Sequence, residues 1–438
     1  MNKVRTRFAP SPTGSMHVGN LRTAFYAYAL AKHNDGDFIL RIEDTDKKRE
    51  KEGGVEDIKR LLSIFNIKWD EYYIQSERLD LYKEAAEKLV SDGKAFYCQC
   101  EAKNAKEDGF SNILRDPCRD KGFTTGAIKL KVPDNEKIAF VDFVLKKKVS
   151  WTTSVVGDAT LLKSDGFPTY HLAVVVDDHD MKISHALRGH DWMPSTPIHL
   201  LVYKFLGYDV PEIGHLTDIM DPEGGKLSKR KGSTSVDGLL GEGYLPEALF
   251  NFVILLGWAP KDNKEMFLLE EFVKFFDESG FQRSNPVFNK EKLDWFNGEY
   301  IRSMSDEDLN KKFIEISNSF KEIENDKQLE ITKLLKERIK KVSDLNTLAS
   351  FFWDRPNVDK SLFGENYREH IEKAIDGIKN KRDLMEVVKE NNFKTGDFFM
   401  TLRIAITGMK FTPPINESMT ILGKKETLER LGYILSNE

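Results

Sequence analysis

The first stretch that could handle a charged substrate is a loop of small hydroxyl residues ending in a histidine. It contains Ser11, His17, Gly19 and Asn20. An alternating run before it, Val4 to Phe8, predicts a strand, and an apolar stripe after it predicts a helix. A loop from a strand end to a helix N-terminus presents backbone N–H groups to whatever lies above the strand. The arrangement therefore suits a phosphate.

The second stretch is a glycine-rich loop, residues 221–232, with a dense positive charge. Its basic and hydroxyl side chains are Lys226, Ser228, Lys229, Arg230 and Lys231. A mobile loop of this kind can close over a polyphosphate and neutralise the charge that grows on a leaving pyrophosphate. An ordinary basic surface loop would have the same composition. The common glycine-rich nucleotide fingerprints and the P-loop are absent, so bound ATP would be held in another way.

Two further charged clusters lie in the chain. Arg41 to Asp46, which includes Glu43, follows a predicted strand, Phe38 to Ile42, and ligands bind beyond the strand ends of open α/β sheets. A surface ion pair is the plainer interpretation of that cluster. The run Asp177 to Asp180, with the nearby His190-Asp191 pair, indicates a second class of function. A hydrolase could hold a catalytic divalent ion there, whereas a helix-start capping role is the structural alternative.

The cysteines form a third candidate site. They are Cys98, Cys100 and Cys118. Three thiolates and a fourth nitrogen, oxygen or sulfur ligand can bind Zn²⁺ tetrahedrally. The spacing favours Asp120 as the fourth ligand, and Tyr97 and Asp116 compete with it. Three reduced thiols without a metal are the alternative.

Elements that could position these residues alternate between helix and strand. Helices are predicted over residues 54–66, 78–91 and Thr196 to Leu206, whereas the apolar run Tyr170 to Val176 fits a buried strand or a core helix. From residue 96 to 167 the sequence changes to short β-rich pieces, which we interpret as a domain inserted into the first. These pieces are Ala127 to Val132, Ile138 to Leu145 and Thr160 to Lys163.

Beyond about residue 240 the sequence is mostly helical. One apolar stripe comprises Ile331, Leu334, Leu335, Ile339 and Val342. Lysines and an arginine lie on or near the opposite faces. They form either a solvated helix face or a surface that contacts phosphates.

The amino-acid composition limits the classes of protein to which the chain can belong. The 438 residues are 40% hydrophobic and 31% charged, which is typical of a soluble globular protein with two to four domains. The net charge of −5 gives no global sign of nucleic-acid binding, so a basic surface would be local. No apolar run has the length of a membrane span, and the N-terminus does not read as a signal peptide. An odd number of cysteines fits a reducing cytoplasm.

Together, these stretches resemble glutamyl-tRNA synthetases of bacterial type, which are class I aminoacyl-tRNA synthetases. The matching motifs are Arg7-Phe-Ala-Pro-Ser-Pro-Thr-Gly14, Arg41-Ile-Glu-Asp-Thr-Asp46, Pro168-Thr-Tyr-His-Leu-Ala-Val-Val-Val-Asp-Asp-His179 and Ser195-Thr-Pro-Ile-His199. His17-Val-Gly-Asn20 is similar to the His-Ile-Gly-His signature of the class, and Lys226-Leu-Ser-Lys-Arg230 is similar to Lys-Met-Ser-Lys-Ser. The resemblance covers nearly the whole chain.

The resemblance implies an α/β fold with a Rossmann-type catalytic domain, 1–95 and 168–240. An acceptor-binding domain with a candidate zinc site, 96–167, would interrupt it. A stem-contact connecting domain, 241–305, and an all-α anticodon-binding domain, 306–438, would follow. Some family members bind zinc in the inserted domain through a Cys-x-Cys pair and a later Cys-x-ligand pair. This supports a structural Zn²⁺ held by Cys98, Cys100, Cys118 and Asp120.

The implied reaction joins L-glutamate to tRNA-Glu in translation, through glutamyl-adenylate formed from Mg-ATP. By the resemblance, the glutamate-binding residues are Arg7, Ser11, Glu43, Tyr170 and Arg188. The ATP-binding residues are His17, Gly19, Asn20, Asp191, Trp192 and Lys229. The catalytic residues are His17, Lys226, Ser228 and Lys229. The first step is an in-line attack on the α-phosphate, which needs positioning and charge stabilisation.

The family's relatives differ from this chain in recognisable places. Glutaminyl-tRNA synthetases usually have Pro-Glu-Pro-Asn-Gly in the first loop, where this chain has Pro-Ser-Pro-Thr-Gly. Short paralogues that glutamylate a modified tRNA base lack the helical domain. A paralogue without activity is disfavoured by His17, Glu43, Lys226 and Lys229. We therefore expect a monomeric cytoplasmic ligase that binds no membrane. The sequence leaves open whether tRNA-Gln is also charged.

Overall fold

The computed structural model describes residues 3–100, 114–227 and 234–436. The chain divides into two compact units. Unit 1 comprises Met1–Leu239 and Phe250–Asn289, and unit 2 comprises Leu240–Leu249 and Lys290–Glu438. The predicted glycine-rich basic loop, residues 221–232, falls partly outside the described residues, because residues 228–233 are not among them.

All the strands that the structure describes lie in unit 1. In chain order they are β1 (Arg5–Phe8), β2 (Asp37–Ile42), β3 (Glu71–Ile74), β4 (Ala95–Cys98), β5 (Ala127–Leu130), β6 (Lys137–Asp142), β7 (Lys147–Thr152), β8 (Thr160–Leu162), β9 (His185–Gly189) and β10 (Glu212–Leu216). Strands β1, β2 and β3 form a parallel sheet in that order, and β9 pairs with β10 in parallel. The backbone N–H of Ser184, next to β9, donates to the carbonyl of Arg5 in β1 at 2.9 Å. The two parallel sheets therefore lie side by side.

The predicted β-rich segment has a different architecture. Strands β4, β5 and β8 form one antiparallel sheet, and β6 and β7 form an antiparallel hairpin. The change from parallel to antiparallel pairing follows the change in sequence pattern, since short alternating pieces joined by turns favour hairpins.

The helices of unit 1 begin with α1 to α5. They are α1 (Val18–His33), α2 (Gly54–Ile64), α3 (Leu79–Ser91), α4 (Tyr170–Asp180) and α5 (Thr196–Leu206). Next in the chain are α6 (Val236–Gly241), α7 (Pro246–Ile254) and α8 (Leu269–Phe275). Short 3-10 helices occur at Gln75–Glu77, Thr153–Val155, His190–Ser195 and Glu278–Gly280. The predicted first helix, the helices near 54–66 and 78–91, and the helix from Thr196 to Leu206 are confirmed within a few residues.

Helix α1 is buried on almost every side. Leu21, Phe25 and Tyr26 are fully buried, and so are the alanines of the helix. Small alanine side chains let neighbouring elements pack closely against the helix. This packing holds the N-terminal residues of α1 in place. This matters because the predicted phosphate loop leads directly into α1.

The apolar run Tyr170 to Val176 is a helix and not a strand. Helix α4 buries Leu172 through Val176, and its first residues therefore carry apolar side chains in every direction. A helix buried all round has no polar face, so periodicity could not separate it from a parallel strand.

The only regular secondary structure among the described residues of unit 2 is helical. Its helices from residue 290 onward are α9 (Lys290–Ser303), α10 (Asp306–Ile316), α11 (Asn318–Lys321), α12 (Asn325–Lys336), α13 (Asp344–Leu348), α14 (Tyr367–Lys379), α15 (Leu384–Glu390), α16 (Thr395–Thr407), α17 (Ile415–Leu422) and α18 (Lys424–Ser436). Short 3-10 helices lie at Ser350–Phe352 and Lys360–Leu362.

The predicted apolar stripe of unit 2 is core, but it is not one helix. Ile331 and Leu335 are fully buried on α12, which ends at Lys336. Ile339 and Val342 follow in the next turns and are buried as well. In the part of the chain that the structure describes, no helix has the length and apolarity needed to cross a membrane.

Candidate functional site

His17 starts helix α1 as its N-cap. Its Nδ1 accepts a hydrogen bond from the backbone N–H of Gly19 at 3.1 Å, and the side-chain oxygen of Asn20 accepts from the backbone N–H of His17 at 3.3 Å. This reciprocal pair is a capping box. Because Nδ1 accepts, the proton of the neutral imidazole lies on Nε2. Asn20, which replaces the second histidine of the class signature, therefore has a structural role at the start of the helix.

One cavity of about 540 Å³ lies where β1, β2 and β9 end. It is lined by eleven of the residues predicted as ligand-binding or catalytic: Arg7, Ser11, His17, Gly19, Asn20, Glu43, Tyr170, Arg188, Asp191, Trp192 and Lys226. Ser228 and Lys229 lie outside the described residues. The cavity opens at the carboxyl ends of parallel strands, where ligands bind in open α/β sheets.

Arg7 is held from below by a carboxylate and a carbonyl. Its Nε donates to Asp178 on α4 at 3.1 Å, and its Nη1 donates to the carbonyl of Leu187 on β9 at 2.9 Å. Both members of the Arg7–Asp178 ion pair are buried. Asp178 thus fixes the guanidinium and neutralises part of its charge.

Glu43 is held in the same network through Arg41. The fully buried Arg41 donates to Glu43 at 3.1 Å and to Asp178 at 2.7 Å. Burial raises the pKa of the Glu43 carboxyl, and the charges of Arg41 and Arg7 oppose that rise. Burial also favours a higher pKa for the Asp178 carboxyl, but Arg7 and Arg41 outweigh it and its pKa lies below the ordinary value.

Arg188 has a different set of partners. Its Nε donates to Nε2 of His215 at 3.0 Å, its Nη1 to Nδ1 of His199 at 2.9 Å, and its Nη2 to the hydroxyl of Thr196 at 2.7 Å. Each partner is a buried neutral acceptor. Three of the five guanidinium N–H groups are therefore engaged from below. The sequence did not indicate His215, because this residue lies in no local motif. His199 was named only as the last residue of the motif from Ser195 to His199.

The other side of the cavity carries an aromatic pair and a lysine. The rings of Tyr170 and Trp192 lie 4.1 Å apart between centroids. The Nζ of Lys226 contacts Asp191 and lies 2.9 Å from Asp218. Burial lowers the pKa of Lys226, but the bonds to the two carboxylates outweigh it and leave the pKa raised. Lys226 is therefore a charged group at the cavity wall.

The acidic run Asp177 to Asp180 forms the C-terminal part of helix α4, so the capping role at a helix start is wrong. The Asp177 carboxylate accepts from Arg78, Gln75 and Tyr82 at 2.8–3.0 Å. Asp178 is occupied by arginines as described above. The only group with metal-ligand geometry among the described residues lies elsewhere. The first two carboxylates of the run serve as buried counterions, which removes the basis for the hydrolase hypothesis.

That metal-ligand group is the cysteine cluster. One ligand atom from each of Cys98, Cys100, Cys118 and Asp116 lies within 4.8 Å of the others. The predicted fourth ligand, Asp120, instead has an exposed carboxylate that pairs with Lys131 at 2.9 Å. The structure thus brings Asp116, which sequence reasoning named as a competitor, to the three sulfur atoms.

The donor set of this cluster fits a zinc ion. Three thiol groups and one carboxylate are a four-ligand set that Zn²⁺ accepts. Burial raises the pKa of the Cys98 thiol to about 12, whereas the backbone N–H of Gln99 lowers the pKa of the Cys118 thiol. A bound cation would favour the thiolate at both positions.

Comparisons with known proteins cover the whole chain. Residues 3–295 match the family model described as tRNA synthetases class I (E and Q), catalytic domain, and residues 307–435 match the anticodon binding domain. A glutamate–tRNA ligase of Dehalococcoides mccartyi is 40% identical, with 99% of this chain and 98% of the relative covered. A glutamate–tRNA ligase of Clostridioides difficile is 37% identical, with 99% of each chain covered.

Solved structures agree with the sequence matches. The crystal structure of a glutamate tRNA ligase from Elizabethkingia meningosepticum in complex with its amino acid has a TM-score of 0.84 and 33% identity, and it covers 100% of both chains. The glutamate-tRNA synthetase of Elizabethkingia anophelis has a TM-score of 0.85, also with 33% identity and 100% coverage.

Proposed function

This chain belongs to the family of class I tRNA synthetases for glutamate and glutamine, and from that we infer that it is a ligase that charges tRNA with glutamate. It joins L-glutamate to tRNA-Glu in translation, at the expense of ATP and through a glutamyl-adenylate. The Rossmann-type catalytic fold and the helical anticodon-binding region are those of the family.

The observation that carries the proposal is the cavity of about 540 Å³ in unit 1. Groups suited to an amino acid with two carboxylates, Arg7, Arg188 and Glu43, line it together with groups suited to a polyphosphate, His17 and Lys226. A two-substrate reaction needs both substrates in one site, with the carboxylate placed for attack on the α-phosphate.

We assign the amino acid to the arginine side of the cavity. Arg7 with Tyr170 binds the γ-carboxylate, and Arg188 binds the α-carboxylate, because guanidinium groups match carboxylates with two parallel hydrogen bonds. Glu43 binds the α-ammonium, and Ser11 lies near it on the first loop. The burial of Arg7 and the low exposure of the Glu43 side chain support these roles, since charged contacts are strongest where water is excluded.

We assign ATP to the helix side of the cavity. His17, Gly19 and Asn20 at the N-terminus of α1 contact the phosphates, which the exposed N–H groups and the helix dipole attract. Asp191 and Trp192 lie by the adenosine. Lys226, with Lys229 and Ser228 of the same loop, stabilises the charge that develops on the pyrophosphate in the transition state. Carboxylate attack needs no proton transfer in this step.

Two metals belong to the proposal. Mg²⁺ arrives with ATP and neutralises phosphate charge. A structural Zn²⁺ would be held by Cys98, Cys100, Cys118 and Asp116, and the convergence of these four side chains supports it. A metal bound there would cross-link residues 98–100 to residues 116–118, beside the small apolar core that Phe96 forms with Cys98 and Cys118.

The tRNA partner contacts several regions in this proposal. Segment 96–167 binds the acceptor end, residues 241–305 contact the stem, and residues 306–438 read the anticodon. The exposed Lys333 and Arg338 of unit 2 supply phosphate contacts there. We further propose that the enzyme works as a cytoplasmic monomer.

Aminoacylation of separate tRNA-Glu and tRNA-Gln transcripts, with labelled glutamate and labelled glutamine, tests the function directly. We expect glutamate to be attached to tRNA-Glu in an ATP-dependent reaction and glutamine to be attached to neither. Charging of tRNA-Gln with glutamate would mark a non-discriminating enzyme. Failure to charge either tRNA with glutamate would refute the proposal.

A further inference from the structure

A chain of buried polar groups runs from segment 96–167 to Arg188. Asp142, the last residue of β6, accepts from Nδ1 of His215 on β10 at 2.6 Å. Nε2 of the same ring accepts from Nε of Arg188 on β9 at 3.0 Å. Asp142 and His215 are both completely buried. The three residues therefore connect the β6–β7 hairpin to the guanidinium that lines the cavity.

The two hydrogen bonds fix the tautomer of His215. Its Nδ1 faces a carboxylate, which can only accept, so the proton lies on Nδ1. Nε2 is then the lone-pair nitrogen, and it faces a guanidinium, which can only donate. Burial lowers the pKa of His215, as does the charge of Arg188, while the bond to Asp142 opposes the shift. With the proton on Nδ1 and the lone pair on Nε2, the ring accepts one N–H of Arg188 and helps to orient the guanidinium.

Asp142 is built into the hairpin end that reaches β10. Its Oδ1 accepts from the backbone N–H groups of Val144 and Leu145 at 3.1 and 2.8 Å. The backbone N–H of Phe143 donates to the carbonyl of Ile213 on β10 at 3.2 Å. A Cβ at Gly214 would lie 2.6 Å from the side chains of Phe143 and Val144, so the close approach of the hairpin requires a glycine there.

We propose that Asp142 is a positioning residue for amino-acid binding: through His215 it sets the orientation in which Arg188 receives the α-carboxylate. Segment 96–167 would thereby be part of the glutamate site, although none of its residues lines the described cavity. The inference rests on the proposed function, because it takes glutamate as the ligand of Arg188.

The Asp142→Asn substitution tests the hydrogen-bonded chain from Asp142 through His215 to Arg188, because an amide has almost the same shape as a carboxylate. If the amide oxygen keeps the bonds to Val144 and Leu145, the NH₂ group faces His215, and the proton of the ring must move to Nε2. A donor then faces the donor of Arg188. We expect the glutamate KM to rise roughly 10- to 100-fold, as for the loss of one hydrogen bond to a charged group. The KM for ATP should change less than about twofold, because the chain does not contact the ATP side.

Asp158→Asn is the matched control. Asp158 lies in the same segment and accepts from the backbone N–H groups of Asp116 and Val132 at 2.9 and 3.0 Å. Within the described part of the chain, its carboxylate makes no hydrogen bond to Asp142, His215 or Arg188. We expect this variant to lose stability without any change in the glutamate KM.

Two substitutions of His215 keep the test decisive if Asp142→Asn does not fold. The side-chain oxygen of His215→Gln can take the place of Nε2 as an acceptor for Arg188, whereas His215→Leu cannot. We expect the leucine variant to show the raised glutamate KM and the glutamine variant to recover most of the loss. In the His215→Gln background, Asp142→Asn should add little, since a coupled pair is non-additive.

The assay is steady-state charging of tRNA-Glu with labelled glutamate, alongside melting temperatures of every variant. A folded Asp142→Asn protein with the wild-type glutamate KM would overturn the inference, and so would equal effects of His215→Gln and His215→Leu. A wild-type protein that charges no tRNA with glutamate would instead refute the proposed function. The two failures are therefore distinguishable.

Discussion

Replacing Arg7 by methionine should abolish efficient use of glutamate while leaving the protein folded. The substitution keeps the length and apolar stem of the side chain and removes the guanidinium. In the proposed complex this group is the charge partner of a buried γ-carboxylate. Removing one partner of a buried, hydrogen-bonded charge pair costs roughly 2–5 kcal/mol. Since about 1.4 kcal/mol is a factor of ten, kcat/KM for glutamate should fall by a factor between about 30 and several thousand.

The same substitution also has a structural cost, which can be estimated separately. Arg7→Met removes one of the two arginines that neutralise Asp178, but Arg41 still donates to that carboxylate at 2.7 Å. Breaking a buried pair costs roughly 3–5 kcal/mol when the remaining charge is left alone. Because Arg41 still pairs with Asp178, we expect the free energy of unfolding to fall by about 3 kcal/mol or less.

Arg5→Met is the matched control on the same strand. Arg5 lies two residues earlier in β1 and pairs with Asp37 at 2.6 Å and Glu71 at 2.9 Å. It is not among the described residues that line the cavity. The control should therefore lower the melting temperature without changing the glutamate KM.

The assay is charging of tRNA-Glu at saturating ATP over a range of glutamate concentrations, with thermal melting of both variants. A folded Arg7→Met protein whose glutamate KM and kcat equal those of the wild type would refute the assignment of Arg7. A comparable loss in Arg5→Met would show that the effect is transmitted through the strand and not through ligand contact.

Three further predictions follow from other parts of the molecule. Lys229→Ala should lower kcat far more than it raises the KM for ATP, because transition-state charge is what the loop stabilises; the reverse pattern in steady-state kinetics would mean that the loop only binds. Asp116→Ala should reduce the zinc content of the purified protein, whereas Asp120→Ala should not; elemental analysis showing equal zinc in both variants, or less than about half an equivalent in the wild type, would contradict the proposed site. Burial lowers the pKa of His199, and burial with the charge of Arg188 takes that of His171 to about 4. Below pH ~6.5 the unfolded chain then binds more protons than the folded chain, so the free energy of unfolding should fall as the pH is lowered from 7 towards 5, by up to ~1.4 kcal/mol per pH unit for each group. The melting temperature should fall with it, and a flat melting profile over this range would contradict the prediction.

The sequence indicated the residues around the cavity much better than it indicated how they are held. Arg7, Glu43 and His17 lie in local motifs, at strand ends and a helix start, and local patterns are what sequence reasoning can use. His215 and Asp142 act through partners far away in the chain, and neither lies in a motif. The fold class was implied by the resemblance to class I synthetases, and the alternation of helix and strand was consistent with it. Helix α4 could not be assigned, because a fully buried helix has no periodic polar face.

The metal ligands show the same limit on a smaller scale. Cys98, Cys100 and Cys118 were indicated by their clustering in the sequence. The spacing pattern favoured Asp120, yet Asp116 is the carboxylate near the sulfur atoms. Which of two aspartates turns inward depends on the turn between them and on Lys129, which donates to Asp116 at 2.5 Å. Spacing alone contains neither piece of information.

The two arginines assigned to glutamate have different partners. Arg7 pairs with the carboxylate of Asp178, whereas Arg188 donates to neutral side chains. Arg188 rests on neutral acceptors, so its full charge remains available to the α-carboxylate. Arg7 and Arg41 share Asp178, and Arg41 also holds Glu43. Arg41 also lies 3.6 Å from the buried carboxylate of Asp177, which Arg78 shares. The charge partners of Arg7 and Arg41 are therefore carboxylates of the protein itself.

In the proposed complex, glutamate brings two carboxylates to the two guanidinium groups that line the cavity, Arg7 and Arg188, and one ammonium to Glu43. Glutamine has a single carboxylate, so its binding would leave Arg7 facing a neutral amide with only the shared carboxylate of Asp178 as a charge partner. An amide can accept a hydrogen bond from the guanidinium, but it cannot compensate a partly uncompensated buried charge, which is the costly element in such pairs. We therefore expect discrimination against glutamine to depend on the sharing of Asp178 between Arg7 and Arg41 as well as on the contact between the ligand and Arg7.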